Sequence, residues 1–231
     1  MKNFKMLFFT LLSASCLWSS IHDTNITEEQ VRKCFAAIRY ARNGTEEEAF
    51  LNVWQAYPPR MKRFKVDTFR IFGIPVSERE EYGHLIDDGT GTLWVAMPGA
   101  NLLRNLGVLK SGKADLQTAS RQTPTFNHTE IGGTGSTGKG GCQTGYLGMY
   151  CSCSEEIRKF GEAFDEGKPK KVIFTGHSLG AALSQLGAFD LRNHFNLKEK
   201  KQVQLVTFGS PRVYNSVSSE LFDKYIGKKI T

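Results

Sequence analysis

The 231-residue sequence has no long hydrophobic run, only five cysteines and only five histidines. Its apolar stretch near the N-terminus, Met6 to Leu12, is too short to cross a bilayer as a helix. A composition of 40% hydrophobic, 23% charged and 11% aromatic residues excludes a disordered chain and a polytopic membrane protein. The length is that of one domain with a sizeable core.

The N-terminus has the layout of a secretory signal peptide, because two lysines precede the apolar stretch and small residues follow it. We therefore predict that residues 1–20 are a signal peptide, cleaved after Ser15 or near Ser20, and that residues 21–231 form the folded domain. The protein would then be extracellular. An uncleaved N-terminal anchor or a buried helix is the alternative.

Three N-glycosylation sequons agree with secretion and predict a glycoprotein. They begin at Asn25, Asn43 and Asn127. Loss of Cys16 with the leader leaves an even number of cysteines, as a disulfide framework would have. These are Cys34, Cys142, Cys151 and Cys153. The sequence does not choose among their three pairings. No metal site is predicted, because no histidine is spaced to join Cys151 and Cys153 around zinc.

The net charge of +7 comes from basic residues that are scattered along the chain. The densest cluster is Lys198, Lys200 and Lys201. No segment interleaves base-stacking aromatic residues with this charge, so no nucleic-acid partner is predicted. A solvated surface and attraction to anionic lipid both remain as interpretations of the charge.

Short apolar runs bounded by loop residues are typical of buried strands. They are Leu93–Met97, Val172–Thr175 and Val203–Phe208. A helix with small residues on its packing face, Ser178–Leu191, joins the second run to the third. Strand–helix–strand units of this size build parallel sheets, so the predicted class is α/β with a mostly parallel central sheet.

Helices are also predicted on either side of this unit. The segment Thr27–Ala41 has Thr27 as its cap and acidic residues in its first turn. Its apolar side comprises Val31, Phe35 and Ile38. The segment Ser218–Ile226 is predicted as a further helix.

A glycine-rich stretch, Gly133 to Lys139, nearly matches a phosphate-binding loop. However, Gly140 stands where Ser or Thr would hold Mg²⁺, and no clear strand precedes the stretch. We interpret it as a surface loop, and no cofactor is predicted.

The motif Gly176-His177-Ser178-Leu179-Gly180 lies between a predicted strand and a predicted helix. A nucleophile on such a tight turn needs glycines two residues before and after it, so that strand and helix approach without collision. At the helix N-terminus, the N–H of Leu179 would point at a developing oxyanion. Ser178 is therefore the predicted nucleophile. His177 is predicted to pack rather than react, because neighbours at such a turn point in different directions.

These residues resemble the fungal-type, class 3 triacylglycerol lipases, which are α/β-hydrolases. The matching segments are Gly176–Ala182, Phe208–Val213 and, more loosely, Trp94–Ala100 and Thr144–Leu147. The resemblance implies a serine esterase in which Ser178 attacks an ester carbonyl. It also implies that the backbone N–H groups of Leu179 and Ala100 form the oxyanion hole.

The chain departs from the family pattern beside this oxyanion hole. The family has an arginine and a hydroxyl residue where this chain has Pro98 and Ala100. Loss of one oxyanion donor typically costs about 3 kcal/mol in the transition state. The next segment, Asn101–Leu109, corresponds to the family's lid helix, which would raise activity at a lipid interface. An ordinary core-facing helix is the alternative.

In this fold the catalytic triad follows the chain order Ser, then Asp or Glu, then His. The sequence after Ser178 contains no well-placed acid or base for such a triad. The residues to weigh are Asp190, His194, Glu199, Glu220 and Asp223. Asp190 and His194 fall on or just beyond the predicted helix Ser178–Leu191, which leads away from Ser178. By the resemblance, a strand beginning at Lys228 would lead to the acid-bearing loop. We therefore expect the triad Asp and His, and the C-terminal strands, to be missing from this sequence.

Three interpretations follow. The preferred one is a secreted lipase or esterase that hydrolyses acylglycerol-type esters at a membrane or droplet interface, without a stable transmembrane anchor. The second is a catalytically inactive, lipase-like protein that binds lipid without turnover. The third is a secreted glycoprotein that uses the fold for protein contacts and neither binds lipid nor reacts with a serine-directed phosphonate.

Overall fold

The structure is a computed structural model in which residues 26–43, 47–55, 58, 60–67, 70–71, 74–75, 79–99, 141–142 and 144–226 are described. Several predicted features lie outside these residues. They are the signal peptide, the sequons at Asn25 and Asn127, Ala100, the lid segment, the glycine-rich stretch and the strand at Lys228.

The helices of the described residues are α1 (Glu28–Asn43), α2 (Glu47–Trp54), α3 (Thr144–Glu162), α4 (Leu179–His194) and α5 (Ser216–Tyr225). The strands are β1 (Arg60–Asp67), β2 (Arg70–Ile71), β3 (Ile74–Pro75), β4 (Arg79–Asp87), β5 (Thr92–Met97), β6 (Lys171–His177) and β7 (Val203–Phe208). A 3₁₀ turn, Lys200–Gln202, leads into β7. No helix of the described part combines the length and the apolar character needed to span a membrane.

The main sheet has the strand order β1-β4-β5-β6-β7. Strands β5, β6 and β7 are parallel, whereas β1, β4 and β5 are antiparallel neighbours. The α/β class and the three predicted strands are thus confirmed. The antiparallel half was not predicted, because charged residues at many positions of β1 and β4 hide the apolar alternation there.

Helices cover both faces of the sheet, and β5 shows why. Leu93, Val95 and Met97 belong to the core beneath α3 and α4. Trp94 and Ala96 belong to the core beneath α1 and α2. Since successive side chains of a strand point to opposite faces, a strand that is buried along its whole length must be covered on both sides.

The N-terminal helix α1 begins with a capping box. The backbone N–H of Gln30 donates to Thr27 Oγ1 over 3.2 Å, and the backbone N–H of Thr27 donates to Gln30 Oε1 over 3.0 Å. Thr27 is therefore the cap, as predicted. Val31 and Ile38 are buried, but 40% of the surface of Phe35 is exposed to solvent. The protein core therefore covers only part of the predicted apolar side.

No disulfide joins the four cysteines of the described residues, so the predicted framework is absent from the structure. The sheet separates Cys34, in the α1 core, from Cys142 and Cys153 in the α3 core. Cys151 and Cys153 occupy one helix two residues apart, which places their side chains on nearly opposite faces. Burial raises the pKa of both Cys34 and Cys142 to about 12, so these thiols remain protonated at neutral pH.

Candidate active site

Ser178, the predicted nucleophile, lies on the turn between β6 and α4. Its backbone has φ 52° and ψ −117°, a conformation that costs a non-glycine residue about 1–3 kcal/mol. Its N–H donates to the carbonyl of Phe208 over 2.9 Å, and its carbonyl accepts from the N–H of Ala181 over 3.0 Å. The end of β7 and the first turn of α4 therefore hold the strained residue in place.

The two glycines of the motif permit a close approach of backbones. A Cβ at Gly176 would collide with the carbonyl of Gly180. A Cβ at Gly180 would collide with the carbonyls of Met97 and Pro98, at the end of β5. The spacing of the motif thus follows from steric contact among β5, β6 and α4, as the sequence predicted.

The loop after β5 passes directly beside Ser178. A Cβ built on Gly99 would lie 2.6 Å from His177 Nδ1 and 3.4 Å from Ser178 Cβ. The Tyr82 hydroxyl donates to the carbonyl of Pro98 over 2.5 Å and so anchors this loop. Gly99, the residue before Ala100, therefore lies beside Ser178, where the oxyanion hole is predicted. Ala100 itself lies outside the described residues.

Leu179, the other predicted oxyanion residue, is the first residue of α4. The first N–H groups of an α-helix have no acceptor within the helix and carry the positive end of its dipole. An anion beside Ser178 would therefore meet unpaired donors at this helix end.

His177 is exposed and packs between two loops rather than against the Ser178 hydroxyl. Its ring adjoins Gly99 on one side, and a Cβ on Gly209 would lie 3.8 Å from its Nε2. Partial burial and, to a lesser extent, the charge of Arg42 lower the pKa of His177 from its ordinary value. His177 is therefore neutral at neutral pH.

Asp190, the first carboxylate after Ser178, is fully buried and bound to α3. It accepts hydrogen bonds from the Tyr150 hydroxyl over 2.7 Å and from Arg158 Nε over 3.0 Å. A second bond with the Arg158 guanidinium completes a buried ion pair. Burial and this carboxylate raise the pKa of Tyr150 well above its usual value. Asp190 thus joins α3 to α4.

The remaining acids and histidine after Ser178 also lie elsewhere. His194, at the last residue of α4, pairs with Glu162 over 2.8 Å. Glu199 pairs with Lys201 over 2.9 Å, just before β7. Glu220 and Asp223 lie on α5. In the part of the chain that the structure describes, none of these groups hydrogen-bonds to Ser178.

Two contacts near Ser178 had no sequence signal, because each joins segments that are distant along the chain. Gln185 of α4 donates to Ser210 Oγ over 2.5 Å and fixes the segment that follows β7. Phe35 of α1 packs edge-on against Phe208, with ring centroids 5.9 Å apart. The contact between Phe35 and Phe208 brings the N-terminal helix to the carboxyl end of the parallel strands, where Ser178 also lies.

The two-sided sheet with a strained serine between a parallel strand and a helix defines an α/β-hydrolase. Solved lipases agree with this fold. The triacylglyceride lipase of Rhizomucor miehei matches with a TM-score of 0.56 and 19% identity over 89% of this chain and 69% of that chain. The lipase of Rhizopus microsporus var. chinensis matches with a TM-score of 0.53 and 19% identity over 87% of this chain and 64% of that chain.

The chain belongs to the class 3 lipase family, since the family model described as Lipase (class 3) matches residues 109–231, more than half of its length. It is 33% identical over 113 residues to a chloroplastic phospholipase A(1) of Arabidopsis thaliana, covering 43% of this chain and 25% of the relative. It is 28% identical over 171 residues to a secreted mono- and diacylglycerol lipase of Malassezia globosa, covering 66% and 54%. The chain therefore spans between a quarter and about half the length of these relatives.

Proposed function

We propose that this protein is a secreted lipase or esterase that hydrolyses acylglycerol-type carboxylic esters with Ser178 as its nucleophile. The observation that carries the proposal is the strained backbone of Ser178 at the N-terminus of α4. A structure maintains such strain where a side chain must be presented in a defined direction. Membership of the class 3 lipase family supports ester hydrolysis as the reaction.

The names of the relatives support a glycerolipid as the substrate. The Malassezia globosa relative is named as a mono- and diacylglycerol lipase and the Arabidopsis thaliana relative as a phospholipase A(1). Both names denote hydrolysis of an acyl ester on a glycerol backbone. The first relative is secreted and the second chloroplastic, so the predicted signal peptide at residues 1–20 is our reason for proposing an extracellular protein.

In the proposed mechanism, Ser178 Oγ attacks the ester carbonyl and forms a tetrahedral intermediate. The N–H groups of Leu179 and Ala100 would bind its oxyanion, and the anchored loop at Pro98 and Gly99 supports this arrangement. The serine proton must pass to a base. No described acid or histidine hydrogen-bonds to Ser178 in this role, which agrees with the expectation that the triad Asp and His are missing from this sequence.

A second candidate is a lipase-like protein that binds lipid without turnover. The engagement of Asp190 with Arg158 and of His194 with Glu162 favours it, because neither Asp190 nor His194 is available to Ser178. Pro98 and Ala100 also replace the side chains that would complete the oxyanion hole in the family pattern.

The test is hydrolysis of a short-chain nitrophenyl ester and of a diacylglycerol, together with labelling by a fluorescent alkyl phosphonate. We expect Ser178→Ala to abolish labelling and to lower kcat by about 10⁵-fold or to background. Ser219→Ala, which changes an exposed serine of α5, is the matched control and should leave both unchanged. An unlabelled, inactive native chain that still binds diacylglycerol would contradict the proposal and support the second candidate.

A further inference from the structure

The antiparallel ladder between β4 and β5 ends where the loop beside Ser178 begins. His84 pairs with Ala96 in this ladder, so the same register would place Tyr82 opposite Pro98. Proline has no backbone N–H and cannot donate to a partner strand. Contacts other than the ladder therefore have to hold the buried Pro98 in place.

The Tyr82 side chain makes one such contact. Its hydroxyl donates to the carbonyl of Pro98 over 2.5 Å. A buried carbonyl without a hydrogen bond would cost free energy, and the Tyr82 hydroxyl supplies the partner. Burial raises the pKa of Tyr82 above its ordinary value, so the hydroxyl stays protonated at neutral pH and remains a donor.

The ring of Tyr82 is itself held in place. Phe64 of β1 is fully buried and meets this ring edge-on, with ring centroids 6.3 Å apart. Gly83 leaves the room for this arrangement, because an added Cβ there would collide with the Phe64 ring. Since the neighbours already restrict the ring, the hydrogen bond to Pro98 requires little further ordering of the side chain.

The peptide unit that joins Pro98 to Gly99 also contacts the turn of the candidate nucleophile. The carbonyl of Pro98 lies against Gly180, where an added Cβ would collide with it. Gly99 is buried, and a Cβ on it would lie 3.4 Å from Ser178 Cβ. This peptide unit therefore has the Tyr82 hydroxyl on its carbonyl and the Ser178 turn in direct contact.

We propose that Tyr82 is a positioning residue of the candidate active site, whose hydroxyl orients the Pro98–Gly99 peptide unit and with it the predicted oxyanion-hole loop beside Ser178. The inference rests on the proposed function for the reaction that this loop serves. An oxyanion hole stabilises the transition state when its donors are already oriented, so a rotated peptide unit would lower kcat. Tyr82 does not contact the substrate in this role, so KM should change little.

The experiment compares Tyr82→Phe with Tyr214→Phe in the whole chain. Each change removes one hydroxyl group and retains the aromatic ring. The Tyr214 hydroxyl is buried and has no hydrogen-bond partner within the described part of the chain, which makes it the matched control. Thermal unfolding of each variant verifies that it is folded.

Hydrogen–deuterium exchange of the peptide from Trp94 to Ala100 measures the anchor without requiring catalysis. Pro98 has no amide hydrogen, and the amides of β5 lie between two paired strands, so faster exchange in this peptide would arise from the residues after Pro98. We expect Tyr82→Phe to accelerate this exchange about fivefold, as loss of one hydrogen bond would do. Tyr214→Phe should leave the exchange unchanged.

Ester hydrolysis measures the consequence for catalysis. Tyr82→Phe should lower kcat about tenfold, less than removal of an oxyanion donor itself, and should leave KM unchanged. The rate of labelling of Ser178 by an alkyl phosphonate should fall in parallel. Dividing each rate by the fraction of protein that is finally labelled excludes a smaller folded fraction as the cause.

The outcomes separate the explanations. Faster exchange together with a lower kcat at constant KM supports the positioning role. Unchanged exchange, equal effects of Tyr82→Phe and Tyr214→Phe, or a higher KM at constant kcat overturns it. If the exchange responds but the native chain never hydrolyses an ester, only the proposed function is contradicted. If the native chain hydrolyses esters and Tyr82→Phe retains the full kcat, only the positioning role is contradicted.

Discussion

The two halves of the sheet differ in the closest contacts that they make with the helices beside them. In the parallel half, the backbone of α4 packs directly against the backbone at the end of β5, and Gly180 lies against the carbonyl of Met97. In the antiparallel half, aromatic rings stack on the α1 and α2 side. Tyr40 lies between Phe50 and His84, with centroid distances of 4.9 and 5.0 Å.

This difference relates to what each half does. Backbone contacts leave no room for an added atom, and they hold the Ser178 turn within narrow geometric limits. Ring contacts bury large areas and accept aromatic substitutes of similar shape, which suits a platform for α1. The parallel half thus determines the position of the candidate nucleophile, and the antiparallel half determines where the N-terminal helix lies.

The largest expected effect comes from one added methyl group in the parallel half. Gly180→Ala should lower the free energy of unfolding by about 4 kcal/mol or more, because the carbonyls of Met97 and Pro98 cannot move aside. Gly148→Ala is the matched control, since an added Cβ there meets nothing within 4 Å on an exposed position of α3. It should stabilise the protein by about 0.5–1 kcal/mol. Urea denaturation measures both, and equal effects would refute the contrast.

Removal of the buried carboxylate should have the next largest effect. Asp190→Ala removes the carboxylate that accepts hydrogen bonds from Arg158 and Tyr150, and we expect the free energy of unfolding to fall by about 3–5 kcal/mol. His194→Gln, which removes a more exposed hydrogen bond with Glu162, should cost less than about 1 kcal/mol. Chemical denaturation of both variants tests this order. A small effect of Asp190→Ala would show that water replaces the lost contacts.

A pH-dependent effect is expected in the antiparallel half. Burial, with a further contribution from Arg63, lowers the pKa of His84 from 6.5 to about 4. The unfolded chain therefore binds more protons in this interval, and stability falls as the pH is lowered from 6.5 towards 4. The total loss from His84 is about 3 kcal/mol. His84→Gln should remove this part of the pH dependence, which denaturation across the interval would reveal. Parallel curves for both proteins would disprove it.

The smallest effect should come from the N-terminal cap. Thr27→Ala removes the acceptor for the N–H of Gln30 and should cost about 1 kcal/mol. Thr27→Ser retains the hydroxyl and serves as the control. A calorimetric unfolding scan measures the difference. If Thr27→Ala unfolds like the native protein, α1 depends on packing against the sheet and not on its cap.

Features that depend on neighbouring residues were predicted from the sequence. The motif at Ser178, the strand before it and the helix after it form one continuous segment, and the collisions at Gly176 and Gly180 explain its spacing. The cap at Thr27 likewise depends on a residue three positions away. Short-range geometry restricts such segments so strongly that the pattern alone predicts the structure.

Features that join distant segments were decided by the tertiary structure. The sequence predicted a disulfide framework, but the sheet places Cys34 in a different core from Cys142 and Cys153. It did not predict the antiparallel half of the sheet or the contact of Phe35 with Phe208.

The sequence by itself therefore determined the turn at Ser178, the parallel strands around it and the capped N-terminal helix, because local sterics and hydrogen bonds specify them. Only the tertiary structure decided that α1 packs at the carboxyl end of the parallel strands and that Arg158 and Tyr150 bind Asp190. Those contacts depend on how the layers pack, and packing brings together residues that no local pattern relates.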